Sequence, residues 1–89
     1  MANLYKKVAF KIEAPTAREV LVVGSFTEWT ENPIDLNRKD NGVWEKMIRI
    51  KPGRYEYRYL IDGQWITDQT AHEFAKNEFG EINSVLRVE

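Results

Sequence analysis

Val43-Trp-Glu-Lys-Met-Ile-Arg-Ile50, Lys51-Pro-Gly53 and Arg54-Tyr-Glu-Tyr-Arg-Tyr-Leu-Ile-Asp62 form the stretch that decides the fold class. Apolar and polar residues alternate on both sides of Pro52-Gly53, at the two-residue period of strands. In the second run Tyr55, Tyr57, Tyr59 and Ile61 share one face, while Glu56, Arg58 and Leu60 share the other. The Tyr face is expected to be core. In the first run Trp44 shares its face with Ile48 and Ile50, so it too is expected inside. The Pro-then-Gly arrangement predicts two long strands joined by a short hairpin connection.

Working outward, Asp62-Gly63 is a two-residue turn signal with Gln64–Thr67 as the returning strand. Asp68 to Gly80 reads as irregular, and Ile82 to Val88 as the closing strand. Upstream, Val8, Phe10 and Ile12 alternate with Lys7, Ala9, Lys11 and Glu13, up to a stop at Ala14-Pro15. Glu19 to Phe26 is apolar on both faces, which suits an interior strand, and Gly24 permits a close approach or bend. From Thr27 to Gly42 turn residues dominate, with Ile34 and Leu36 in one short extended piece. Six to eight short strands without a crossover helix predict an all-β fold, an immunoglobulin-like antiparallel sandwich. One domain over residues 1–89 is expected; Met1 with no linker at the other end suggests a stand-alone module, and an excised domain would look alike.

The 89 residues balance 13 Lys and Arg against 14 Asp and Glu, a net charge of −1. Such a chain supplies no positive field for nucleic acid or an anionic membrane, and neither is expected as a partner. With no Cys and one His, His72, it lacks a thiol nucleophile, a disulfide framework and any multi-histidine metal site. No cofactor or metal is expected. The start carries no apolar leader segment, and Val20–Val23 is far shorter than the roughly 18 residues of a membrane span. The expectation is a cytoplasmic protein.

Catalysis by paired carboxylates would draw on Asp62 and Asp68 around Trp65, or on Glu45 across the hairpin from Glu56. Asp62 is better explained as a turn former and the Glu residues as a solvated face, so no enzyme is expected. Asp35 to Gly42 fails as a calcium loop, because Asp40 stands where the sharp turn needs Gly. Tyr55 to Tyr59 could stack nucleic-acid bases, but the Tyr residues face away from Arg58. His72 reads as an ordinary loop residue.

Trp29 and Trp65 are different from Trp44. Trp29 sits in the polar loop Thr27-Glu-Trp-Thr-Glu31, and Trp65 follows a tight turn beside Gln64. Periodicity leaves open whether they cap the sandwich or lie exposed. Exposed, they would suit sugars: an indole face packs on the C–H face of a pyranose, with Arg, Asn or Gln for the hydroxyls.

Gly24-Ser-Phe-Thr-Glu-Trp29, Gly42-Val-Trp44, Pro52-Gly-Arg-Tyr-Glu-Tyr-Arg-Tyr59, Ile61-Asp-Gly-Gln-Trp65 and Asn83-Ser-Val85 come in the order of the family 48 carbohydrate-binding modules. That family includes the glycogen-binding domain of the AMP-activated protein kinase β subunit and the early-set domains of isoamylases and branching enzymes. The chain resembles it over about residues 6–89. The resemblance implies an early-set sandwich that binds α-1,4-linked glucan without catalysis: glycogen, starch, maltooligosaccharides or cyclodextrin. It places the two clamping tryptophans on Trp29 and Trp65, the hydroxyl-binding cation on Arg58, the loop contact on Phe79 where the pattern has Leu, and the hydrogen-bonding Asn on Asn83. Glu81 stands where the pattern has Thr, and can accept but not donate hydrogen bonds. The implied partners are the glucan and an amylolytic or glycogen-metabolising enzyme or a kinase. The competing expectation is a protein-interaction or structural early-set module whose sugar site is vestigial.

Overall fold

The computed structural model describes residues 4–89. Its strands in chain order are β1 (Lys6–Glu13), β2 (Val20–Gly24), β3 (Ile34–Asp35), β4 (Asn37–Arg38), β5 (Val43–Ile50), β6 (Gly53–Ile61), β7 (Gln64–Ile66), β8 (Glu73–Lys76) and β9 (Ile82–Val88). All observed pairings are antiparallel. One sheet has the order β1-β5-β4, and the other β3-β2-β6-β9-β8 with β7 attached to β6. The result is the expected all-β, immunoglobulin-like sandwich.

Two expectations are overturned. β5 and β6 do not form a hairpin: β5 pairs with β1 in one sheet, while β6 pairs with β2, β7 and β9 in the other. The Lys51-Pro52 corner therefore carries the chain across the core from sheet to sheet. Tyr55 steadies it by donating its hydroxyl to the Lys51 carbonyl at 2.7 Å. The physical reason is that one-sided alternation shows which face of a strand is buried, not whether its successor lies beside it or across the core. Here the buried faces of β5 and β6 oppose each other. Glu45 consequently lies opposite Lys11 and Asn37, and Glu56 opposite Val85, so they are not the cross-hairpin pair the sequence suggested. The second correction is β8, a four-residue strand inside the stretch expected to be irregular; it pairs with β9 in a ladder from Glu73↔Val85 to Lys76↔Ile82.

The core joins Phe10 of β1, Val20 and Val22 of β2, Trp44 of β5 and Tyr57 and Tyr59 of β6. Phe10 stacks on Phe26 at 5.3 Å between ring centroids and meets Tyr57 edge-on at 5.2 Å. These contacts make a small core cohesive, since aromatic pairs add about 0.5–1.5 kcal/mol to the area they bury. The polar ends are satisfied: Trp44 Nε1 donates to Ala14 O at 3.0 Å, and Tyr57 Oη to Asp68 Oδ2 at 2.6 Å. Burial first, then the Asp68 contact, pushes the Tyr57 hydroxyl well above its ordinary pKa.

Two local devices position the site. At Gly24 a Cβ would lie 2.5 Å from the Glu56 carbonyl oxygen and 2.8 Å from Tyr57 Cβ, so the β2 end approaches β6 as only glycine allows. At the β6–β7 turn Asp62 (φ 48°) and Gly63 (φ 82°) are both left-handed, as a two-residue hairpin loop requires. The Asp62 carboxylate also accepts from Arg18 N at 2.9 Å and Glu19 N at 2.8 Å, fixing the chain that enters β2.

Candidate functional site

Trp29, Arg58, Trp65, Phe79, Glu81 and Asn83 all line one open groove of about 740 Å³, although they come from a turn, three strands and a loop. Ser25, Thr30, Arg54, Glu56, Asn77 and Glu78 complete its lining.

Trp29 reaches the groove from consecutive tight turns. Buried Thr27 organises them: its Oγ1 accepts from Gly24 N at 3.0 Å and lies 2.9 Å from Gly24 O and 2.8 Å from Trp29 O. Glu28 (φ 54°) and Trp29 (φ 55°) are both left-handed. For residues with a Cβ this conformation is costly, and a bulky residue held in it points to a functional demand on its position.

Trp65 lies directly opposite Leu60 across the β6–β7 ladder, on the same sheet face as Arg58. The Arg58 guanidinium carbon sits 4.7 Å from the Trp65 ring centroid. Arg58 is 8% exposed whereas Trp65 is 39% exposed, so the cation forms the floor beneath the indole. A partly desolvated cation–π contact of this kind contributes about 1–2 kcal/mol. Arg58 Nη2 is also paired with Glu81 Oε1 at 3.2 Å. The guanidinium thus supports Trp65 and is held by Glu81, an arrangement that counting residues along the strand does not reveal.

Phe79 is 80% exposed on the β8–β9 loop. The loop is nonetheless built: Asn77 Oδ1 accepts from Phe79 N and Glu81 N, both at 2.9 Å, and Asn77 N donates to Glu81 O at 2.8 Å. Gly80 supplies the left-handed φ of 82°.

On β9, Asn83 is 3% exposed and donates from Nδ2 to Glu56 Oε1 at 3.0 Å. Glu56 Oε2 in turn accepts from Arg54 Nη1 at 2.9 Å. The Asn83 amide first, and Arg54 second, hold the Glu56 carboxyl below the usual carboxylate value. Two buried atoms in this region, Arg58 Nε and Asn83 Oδ1, have no hydrogen-bond partner among the described residues. An unpaired buried polar group costs about 1–3 kcal/mol, so these two atoms beside the groove are hydrogen-bonding capacity that the fold itself leaves unused.

The sequence reading missed Arg54, Glu56 and Asn77. The period of β6 placed Glu56 beside Arg58, but on a face read as solvated. Asn77-Glu-Phe-Gly80 carries an Asn-to-Gly turn signal that would have marked Asn77. Each groove arginine is tied to a carboxylate, Arg54 to Glu56 and Arg58 to Glu81, and among the described residues no His, Asp and Glu cluster could hold a metal ion.

Exposed aromatic side chains beside orphaned hydrogen-bonding groups, set in an open groove on an immunoglobulin-like sandwich, are the attributes of a carbohydrate-binding module. Residues 7–89 match the family described as the glycogen recognition site of AMP-activated protein kinase, and the chain belongs to that family. It is similar to FLOURY ENDOSPERM 6, chloroplastic, of Oryza sativa subsp. japonica, 36% identical over 72 residues, which are 81% of this chain and 13% of that protein. It is also similar to the 5'-AMP-activated protein kinase subunit beta-1 of Sus scrofa, 30% identical over 71 residues, 80% of this chain and 55% of that protein. Among solved structures it superposes on part of the pullulanase from Bacillus acidopullulyticus with a TM-score of 0.74 and 22% identity, covering 98% of this chain and 11% of that one, a likeness of fold. The chain thus spans from about a tenth to about half of these proteins.

Proposed function

We propose that the groove binds an α-1,4-linked glucan, such as glycogen, starch, a maltooligosaccharide or a cyclodextrin, and brings a partner protein to the polymer without acting on it chemically. The observation that carries this reading is the convergence of Trp29, Trp65 and Phe79 on one groove with the unpaired Arg58 Nε and Asn83 Oδ1. Trp29 and Trp65 stack on pyranose faces, Phe79 makes the loop contact, and Arg58 and Asn83 meet hydroxyls, with Glu81 holding the Arg58 guanidinium. An uncharged polymer suits a groove whose cations are already paired.

The partner belongs with an enzyme or kinase of glucan metabolism, in keeping with the pullulanase and the kinase subunit named above. An open groove with few polar contacts gives a dissociation constant in about the micromolar to millimolar range, or roughly −8 to −4 kcal/mol. Many sites on one glycogen particle raise the apparent affinity.

Titration of tryptophan fluorescence with β-cyclodextrin and maltoheptaose tests the reading. Saturable changes in the intact protein, abolished in Trp65→Ala, are expected. No response, or one unchanged by Trp65→Ala, overturns sugar binding and leaves the protein-interaction module.

A further inference from the structure

We propose that Glu56 is a positioning residue for the groove: held by Arg54, its carboxylate fixes the Asn83 amide so that Asn83 offers the ligand its oxygen, and the groove thereby reads a hydroxyl as a donor. The inference rests on the glucan reading and assigns to that site a residue that acts on the sugar through Asn83.

Three observations carry it. The first is the chain Arg54 Nη1 to Glu56 Oε2 (2.9 Å) and Asn83 Nδ2 to Glu56 Oε1 (3.0 Å), which occupies both carboxylate oxygens. The second is that Asn83 is 3% exposed, so its amide has little freedom to take another partner. The third is that Asn83 Oδ1, the end turned from Glu56, is buried and has no hydrogen-bond partner among the described residues.

An Asn amide can sit either way round, and its neighbours decide which. Arg54 only donates. An ionised carboxylate only accepts, and both Asn83 and Arg54 keep Glu56 ionised by lowering its pKa. Asn83 must therefore turn Nδ2 to Glu56, which leaves Oδ1 for the ligand. Its complement is Arg58 Nε, a buried donor without a partner. A sugar hydroxyl, which donates and accepts, can satisfy groups of either kind. An ether oxygen cannot donate to Asn83 Oδ1.

Glu56→Gln is thus a reversal rather than a deletion. Arg54, as the charged and therefore stronger donor, draws the Gln carbonyl to itself. The Gln amide N–H groups then face Asn83, which must rotate to meet them with Oδ1 and present donors to the ligand. Shape and volume are kept while the polarity of Asn83 is inverted.

The test measures β-cyclodextrin binding by calorimetry for the wild type, Glu56→Gln, Asn83→Ala, both together, and Arg54→Ala/Glu56→Gln. The state of the Asn83 side-chain amide is followed by NMR in the unliganded proteins. Glu56→Gln is expected to weaken binding about tenfold, the scale of losing one well-placed hydrogen bond. It adds no further loss in the Asn83→Ala background, because Glu56 acts through Asn83. Arg54→Ala/Glu56→Gln recovers part of the affinity, since the Gln carbonyl is free to turn to Asn83. The Asn83 Nδ2 proton bonded to the carboxylate is shifted downfield in the wild type and loses that shift in Glu56→Gln. Wild-type binding with undiminished affinity in Glu56→Gln overturns the inference alone, as does a full additional loss in the Asn83→Ala background. Absence of binding by the wild type itself overturns the glucan reading beneath it.

Discussion

Glu81 and Arg58 meet at 3.2 Å with unequal surroundings: the Glu81 side chain is 50% exposed and the Arg58 side chain 10%. Solvent screens such a pair, so it contributes up to about 1 kcal/mol. A sugar hydroxyl that approaches the guanidinium must compete with that carboxylate for Nη2. Replacing Glu81 by Gln keeps an acceptor near Arg58 but removes the charge. The expected outcome is a two- to fivefold gain in β-cyclodextrin affinity at low salt, shrinking as salt screens the wild-type pair. Titrations at low and high ionic strength check it, and a weaker Glu81→Gln would mean that the carboxylate itself holds the sugar. At this scale the family resemblance named six of the residues that line the groove, but their mutual contacts could not be read from the sequence. That Arg58 lies opposite the Tyr core face follows from the period of two. That it is buried beneath Trp65 depends on the Leu60↔Trp65 register, which only the folded β6–β7 hairpin fixes.

Elements show the same division. The alternation from Lys7 to Glu13 located β1 within one residue, the apolar run from Glu19 to Phe26 overran β2 by two residues into the turn at Ser25, and Asp62-Gly63 gave its hairpin, because turn chemistry is local. The β5–β6 connection misled because Pro and Gly suit a corner between sheets as well as a tight hairpin. The choice was made by distant β1, whose eight-residue register with β5 runs from Lys6↔Ile50 to Glu13↔Val43. β8 escaped notice because Glu73-Phe-Ala-Lys76 is too short to display a period. The loop that follows it is where an element-scale prediction belongs. Asn77 Oδ1 holds the amides of Phe79 and Glu81, so the exposed Phe79 owes its placement to an acceptor two residues away. Asn77→Ala is expected to cost about 0.5–1.5 kcal/mol of stability and to weaken glucan binding several-fold as the loop loosens. Asn77→Asp retains the acceptor and stays near the wild type in both. Chemical denaturation and β-cyclodextrin titration separate these outcomes, and equal behaviour of Asn77→Ala and Asn77→Asp would remove the loop's dependence on the Asn77 acceptor.

For the whole molecule, β9 is the strand through which acid is expected to act. Glu56 of β6 is tied to Asn83 on one side of it, and Glu73 of β8 to Arg87 on the other at 2.7 Å. Both carboxyls lie below the ordinary 4.5, Glu56 chiefly through Asn83 and then Arg54, Glu73 chiefly through Arg87. A carboxyl depressed in the native state binds fewer protons there than in the unfolded chain. It therefore adds stability above its unfolded pKa, and that stability is lost as pH falls through the lower native value. The expected loss starts as pH drops below about 4.5, the unfolded reference, and concerns the two ladders that β9 makes with β6 and β8. Glu73 is solvent-exposed and contributes less than Glu56, which is half-buried and shares its carboxylate between two donors. Thermal unfolding from pH 7 down to pH 3 should show a lower Tm for Glu56→Gln than for the wild type at neutral pH, with the two curves converging in acid. Glu73→Gln should behave likewise with a smaller gap. Curves for Glu56→Gln and the wild type that remain parallel across that window would show that these pairs do not carry the acid response of the sandwich.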